Sequence, residues 1–328
     1  MRNSSLSDGL CTPLLLFLFL RTSRTVLVSF TSNSSQMKQL LSRILSFTCF
    51  AAVFVACLWF AAFSFPQVET HLVAKRSDEG GLRLRTEEFE SLYTSPKDSL
   101  DFLFLGSSTC YCGIDPYALE ANGYKAFSLC SSAQRIENSA DILDYALERC
   151  TPRFIVLDAY PEFWDGPLSS VECERDWIIN GPRLPLRRIE PYNAFLKLYH
   201  LVADYLGVDH KPWSMKSTDK YSGLGFVERN KPPIDSVDCP DESSKTMSSE
   251  YRQLLADISS KAQTIVVIPP VLCGQELDAL IAIDGNDWPG AKVLNNYYDD
   301  HHLVAEGAKD YSGWLAEKLI RLSQDPSE

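Results

Sequence analysis

The chain has 328 residues, enough for one large domain or two small ones. With 45% hydrophobic and 23% charged residues it has the composition of a globular protein, which excludes collagenous and low-complexity architectures. A formal net charge of −12 at pH 7, without a basic stripe, excludes the electrostatic footprint of a nucleic-acid-binding protein.

In chain order, the first apolar run, residues 14–20, is too short to cross a membrane and is interrupted by Arg21 and Arg24. Residues 44–65, ILSFTCFAAVFVACLWFAAFSF, carry no charge and are long enough to span a hydrocarbon core as a helix. They follow MKQLLSR, with Lys38 and Arg43 on the near side, which is the pattern of a signal anchor. Met37 then reads as a start, with residues 1–36 an upstream extension. A buried core helix would carry a polar face, and this run has none. A cleaved signal peptide is the rival reading, because Ala62-Phe63-Ser64 resembles a small-x-small cleavage site, but the run is long for such a segment. Residues 37–66 are therefore expected to be a single-pass anchor in the cell membrane. The short N-terminus and long C-terminal part favour an extracytoplasmic domain, although Lys75, Arg76, Arg83 and Arg85 beyond the span run against the positive-inside rule.

Residues 67–98 are charged, contain Gly80-Gly81 and read as a stalk. From residue 99 to about 325 strands alternate with helices. DFLFLG is a strand, residues 114–122 a short helix, KAFSLC a second strand, and residues 135–150 a helix with Ile136, Ala140, Leu143 and Leu147 spaced at three and four. RFIVLDAY is a third strand, apolar enough to be covered on both faces. Residues 162–248 break the pattern with many prolines and one helical patch at 192–205, and read as an insertion that forms a lid or acceptor surface. The alternation resumes with a helix at 251–262, the strand TIVVIPP, a helix at 275–283, a shorter strand at AKVLNNYY and a last helix at 305–322. Such alternation predicts an α/β fold with a parallel sheet and helices on both sides, the ligand site lying beyond the carboxyl ends of the strands.

Seven cysteines follow the span: Cys110, Cys112, Cys130, Cys150, Cys173, Cys239 and Cys273. That density suits an oxidising exterior, with pairing that spacing alone leaves open. Cys110 and Cys112 lack the spacing of a zinc knuckle, and no metal or other cofactor is expected.

Two stretches carry chemistry. In DFLFLGSSTCYCGIDP a strand stops on Gly106-Ser107-Ser108, which is either a plain strand-to-helix turn with a capping serine or a nucleophile held at the top of a sheet. In YYDDHHLVAEGAKDYSGWLAEKL, two of the five histidines, His301 and His302, follow Asp299 and Asp300 at the carboxyl end of the last expected strand. Asp299 stands three residues before His302, near enough for its carboxylate to hold an imidazole N–H. A serine, a histidine and an orienting acid are the parts of acyl-transfer chemistry. A helix cap, a solvated turn and a metal site are the other readings of Asp-Asp-His-His, the last without a further ligand cluster to complete it.

Together the two stretches resemble the SGNH (GDSL-type) hydrolase superfamily over roughly residues 101–322, and GSSTCYCGIDP, SLCSSAQ and IVLDAY look like its membrane-anchored branches, which include the D-alanyl-lipoteichoic acid transfer protein and polysaccharide O-acetylation proteins. The resemblance implies a flavodoxin-like three-layer α/β/α fold, with Ser108 as nucleophile, His302 as base and Asp299 as its orienting acid. It implies a serine esterase or O-acyltransferase that acts on a cell-envelope glycan or teichoic-type polymer, with a membrane-bound acyltransferase as a further partner. A non-catalytic envelope protein on the same fold, and an unrelated α/β protein, are the alternatives. The sequence departs from the family in three places. Ser107 replaces the aspartate of the Gly-Asp-Ser turn. The turn that should offer a glycine N–H to the oxyanion is Ser131-Ser132-Ala133-Gln134, and the Gly-x-Asn-Asp block is missing after the third strand. Gly285-Asn286-Asp287 is read as an unrelated turn. The oxyanion hole is then expected from the Ser108 N–H together with a backbone N–H near Ser132 or the side chain of Gln134.

Overall fold

A computed structural model describes residues 34–64, 80–182, 218–239, 245–273, 277–278 and 283–324. The chain divides into two units, Met1–Ala74 and Lys75–Glu328. In the first, helix α1 (Ser34–Ser64) contains a stretch, Met37–Cys57, that is long and apolar enough to cross a membrane. Among its described side chains, large apolar ones such as Phe47, Phe50 and Phe54 lie on the surface, Phe50 at 71% exposure.

The second unit opens with α2 (Leu82–Leu92), so half of the expected stalk belongs to the domain; residues 67–79 lie outside the described residues. Its glutamates lie outside the buried face. Leu82, Arg85, Thr86 and Phe89 form a buried stripe at helical spacing, and Gly81, at φ 62°, supplies the left-handed turn into it. Then come β1 (Ser99–Leu105), two one-turn helices α3 (Ser108–Tyr111) and α4 (Tyr117–Glu120), β2 (Ala126–Ser128), α5 (Ile136–Leu147) and β3 (Thr151–Asp158). The insertion holds α6 (Val171–Asn180) and the antiparallel hairpin β4 (Asp219–Gly223) and β5 (Phe226–Arg229). Its helical patch at 192–205 lies outside the described residues. After it follow β6 (Lys245–Thr246), α7 (Ser249–Lys261), β7 (Gln263–Ile268), β8 (Leu277–Asp278), β9 (Ile283–Asp284) and α8 (Ala305–Gln324).

The central sheet has five parallel strands in the order β2-β1-β3-β7-β9. Numbered by their sequence within the sheet this is 2-1-3-4-5, a doubly wound order whose switch point lies between β1 and β3. Strand residues alternate between two cores. Leu103, Leu105, Ile155, Leu157 and Ile268 face α2, α5 and α7, whereas Phe102, Phe104, Phe154, Val156 and Val267 face α8. Such two-sided burial is why these strands are continuous apolar runs. The hairpin closes the β2 edge: Ser128 N–H donates to the Leu224 carbonyl at 2.9 Å, and a Cβ on Gly225 would lie 2.0 Å from the Ser128 carbonyl oxygen.

The far edge differs from expectation. AKVLNNYY is not a strand; residues Leu294–Asn296 form a 3-10 turn, in which the Asn296 side chain donates to the Gly290 carbonyl. The fifth strand is instead β9, which begins at the last residue of the helix expected at 275–283; within that segment Leu277–Asp278 pairs with β6, and residues 275–276 and 279–282 lie outside the described residues. A short apolar run such as LDALIAI satisfies both helical and extended spacing, and its neighbours decide between them.

Candidate active site

β1 delivers its last residue to the switch point, and the chain must turn there against β3. Gly106 makes this possible: a Cβ on it would lie 2.6 Å from Asp158 Cβ and 2.9 Å from the Asp158 carbonyl oxygen. Ser107 is buried, its Oγ 2.8 Å from Thr109 Oγ1, and Thr109 Oγ1 donates to Asp158 Oδ2 at 2.6 Å. Asp158, at the end of β3, therefore braces the turn from beneath. Burial raises its carboxyl to about 7, against the hydrogen bonds from Thr109 and the Ser107 N–H. Ser108 heads α3 and is half-buried.

The loop before α8 meets this serine. His302 Nε2 lies 2.7 Å from Ser108 Oγ, and His302 Nδ1 lies 2.8 Å from Asp299 Oδ2. Asp299 Oδ1 accepts the backbone N–H groups of His301 (3.1 Å) and His302 (2.7 Å), a local turn that fixes carboxylate and ring together. Burial opposes ionisation of Asp299, but the hydrogen bond from His302, the charges of His302 and His301 and the backbone donors hold its carboxyl down at about 2. An ionised Asp299 accepts the hydrogen bond from Nδ1–H and so keeps the proton on that nitrogen, which leaves Nε2 as the acceptor for the Ser108 hydroxyl. Burial lowers the pKa of His302 despite the opposing hydrogen bond to Asp299. The imidazole is thus neutral and basic near neutral pH. The Tyr298 ring lies parallel to it, centroids 5.3 Å apart. His301 packs beside His302, ring centroids 4.0 Å apart, but its Nδ1 is 2.6 Å from Asp300 Oδ1 and its ring also stacks on Tyr160. Asp299, His301 and His302 bring ligand atoms within 4.8 Å of one another, yet both ring nitrogens of His302 are already engaged, and a metal there would compete with Ser108 or Asp299.

The other wall is the segment after β2. Leu129 N–H donates to Phe104 O (3.0 Å), Ser131 N–H to Gly106 O (3.1 Å), and Cys130 is disulfide-bonded to Cys110. Ser132 is half-buried, with Oγ 3.3 Å from the Tyr111 hydroxyl. Gln134 is not in the cleft. Its Oε1 accepts from Ser131 Oγ at 2.9 Å and its Nε2 donates to Ser139 Oγ at 3.0 Å, which places the amide in the interior and corrects the expectation of an oxyanion role for its side chain. Asn286 of the Gly-Asn-Asp turn bonds Asp284 and the Val271 N–H, in keeping with a structural turn.

Ala133, in the turn after β2, takes the left-handed φ of 50°. For an L-residue with a Cβ this conformation costs about 1–2 kcal/mol. Ala133→Gly should therefore be neutral or raise stability by up to about 1 kcal/mol in a urea titration, and a clear loss would show that the alanine methyl makes contacts that outweigh the strain.

Sequence reasoning missed Asp158, Tyr111, Arg85 and Arg229. Arg229 Nη2 donates to the Tyr111 hydroxyl at 2.8 Å across 118 residues, a separation that no motif records. Arg85 lies under the site, bonding the carbonyls of Gly80, Cys130 and Gly225, with its guanidinium 4.9 Å from the Tyr111 ring centroid. The chain matches no protein-family model and no curated protein.

Proposed function

We propose that the chain is a membrane-anchored serine esterase or O-acyltransferase of the SGNH type, whose domain acts outside the cytoplasm on acyl groups of a cell-envelope glycan or teichoic-type polymer. The observation that carries this reading is the unbroken chain Ser108 Oγ, His302 Nε2, His302 Nδ1, Asp299 Oδ2, with links of 2.7 and 2.8 Å. Its placement at the β1/β3 switch point supports it, since doubly wound sheets bind ligands there. The pairs Cys110–Cys130 and Cys239–Cys273 suit an oxidising compartment.

In this mechanism Ser108 Oγ attacks the acyl carbonyl carbon while His302 Nε2 takes the hydroxyl proton. The tetrahedral intermediate collapses as His302 returns that proton to the leaving alcohol, and the acyl group stays on Ser108. A water or an acceptor hydroxyl, deprotonated by the same nitrogen, then attacks the ester and frees the serine. The test is labelling of the purified chain by a fluorophosphonate serine probe. Wild type should be labelled at Ser108, and Ser108→Ala should not. An unlabelled wild type, or equal labelling of both, would sink the catalytic reading in favour of a polymer-binding role.

A further inference from the structure

We propose that the side-chain hydroxyl of Ser132 is the second oxyanion donor, aimed by a one-way hydrogen-bond chain that begins at the Asp219–Arg229 pair and passes through Tyr111. This rests on the esterase reading above and supplies the part that the sequence lacks, a donor where the family has a glycine.

The direction of the chain follows from donor counting. A guanidinium has five N–H donors and no acceptor. Arg229 Nη1 lies 3.3 Å from Asp219 Oδ2, and both side chains are buried, at 7% and 0% exposure. Arg229 Nη2 reaches the Tyr111 hydroxyl, so the Tyr111 oxygen must accept. The phenol keeps its own proton, since burial raises its pKa to about 12 against the pull of Arg229 and Arg85. That proton then points to the other partner of the hydroxyl, Ser132 Oγ at 3.3 Å. Ser132 Oγ accepts it, and the Ser132 hydrogen remains for a further acceptor. The reverse arrangement would give the Tyr111 oxygen two donors and strand its own buried hydrogen, at a cost of about 1–3 kcal/mol.

Ser132 belongs to a segment tied on both sides to the one that carries the nucleophile. Its neighbour Ser131 donates to Gly106 O, two residues before the nucleophile, and its hydroxyl meets Tyr111, three residues after it. The Cys110–Cys130 bridge pins the same two segments together. Two cations lie near the Tyr111 ring, Arg85 4.9 Å and Arg229 5.6 Å from its centroid. Their positive field polarises the chain toward the developing negative charge of a tetrahedral intermediate. Ser132 is the catalytic group here. Tyr111 and Arg229 are positioning residues, and Arg229 comes from the hairpin of the insertion, so the insertion completes the site rather than merely covering it.

The experiment is a steady-state rate series on the full chain in detergent with p-nitrophenyl acetate, with Ser132→Ala, Ser132→Thr, Tyr111→Phe and the Ser132→Ala/Tyr111→Phe double variant. Loss of one oxyanion donor lowers kcat by about 10²–10³-fold. Ser132→Ala should fall by about that factor with little change in KM, whereas Ser132→Thr, which keeps a hydroxyl, should restore most of the rate. Tyr111→Phe should fall in kcat as well, and the double variant should be no worse than Ser132→Ala, because the two residues act in series. A Ser132→Ala kcat within about threefold of wild type, against the much larger loss expected for a missing donor, overturns the proposal. So does a double variant whose losses multiply. A wild type that neither turns over this ester nor takes the fluorophosphonate label overturns the esterase reading itself, a result distinct from both.

Discussion

Under the proposed function, Ser108→Ala should abolish acyl transfer, lowering kcat on a small acetyl ester by on the order of 10⁴–10⁶-fold, because no covalent intermediate can form without its Oγ. His302→Ala should be nearly as severe. The 2.7 Å contact from Nε2 to Ser108 Oγ is the route for the proton, and the hydroxyl has no other base among the described hydrogen bonds. Asp299→Asn should be milder but still large, on the order of 10³–10⁴-fold. Its amide would present N–H where Nδ1 needs an acceptor, or turn and give up the backbone N–H groups of His301 and His302. The Ser108→Ala/His302→Ala double variant should be little worse than either single change, since the members act as a unit. His301→Ala should be tolerated better, because its ring nitrogen bonds Asp300 and not the serine, and Ser107→Ala removes only the bond to Thr109. Wild-type kcat/KM should rise with pH through a pKa below the usual histidine value and be flat by neutrality, because burial disfavours the imidazolium and the neutral ring is the active base. A profile still rising above pH 7 would contradict the buried His302, and a Ser108→Ala rate equal to wild type would end the nucleophile assignment.

What the sequence made legible is what local physics dictates. β1, β3 and β7 lie between helix layers, so their residues must be apolar on both faces, and the runs FLFL, FIVL and IVVI announce this. Glycine and serine are ordinary turn residues, so Ser108 stood out only in combination with the Asp-Asp-His-His stretch at the carboxyl end of another expected strand. Asp299 and His302 were legible because the carboxylate-to-imidazole bond closes within three residues. The rest depended on distant partners. α2 looks like a stalk because its exposed face is charged, and the Cys130, Gly80 and Gly225 carbonyls that hold the buried Arg85 are not visible in the sequence around it. A two-residue edge strand such as β9 carries no periodicity of its own, and the pairing with Val267 and Ile268 decides it. Gln134 is polar and stands in the right turn, but Ser131 and Ser139 claim its amide from within the fold.

Asp158→Asn should stabilise the protein at pH 8 and flatten its stability between pH 5 and pH 8. Asp158 Oδ2 accepts from Thr109, but Oδ1 is buried without a hydrogen-bond partner, so the ionised form is poorly solvated. Its folded carboxyl therefore titrates at about 7, above the ordinary value of 3.8. An acid whose pKa is raised on folding holds more protons in the native than in the unfolded state between those two values. Stability is then greatest below the lower value and is lost as pH climbs through the higher one. At about 1.4 kcal/mol for each tenfold change in proton affinity, the full loss is at most about 4 kcal/mol. Asparagine keeps an acceptor oxygen for Thr109, fills the same volume and has no proton to lose, so the pH-dependent part of the penalty disappears. Urea titrations of wild type and variant at several pH values measure the difference directly. The two stability curves should converge toward pH 5 and part toward pH 8, with the variant above. Parallel curves across that range would mean that Asp158 keeps one charge state throughout, and that the turn carrying Ser108 rests on a fixed brace rather than a titrating one.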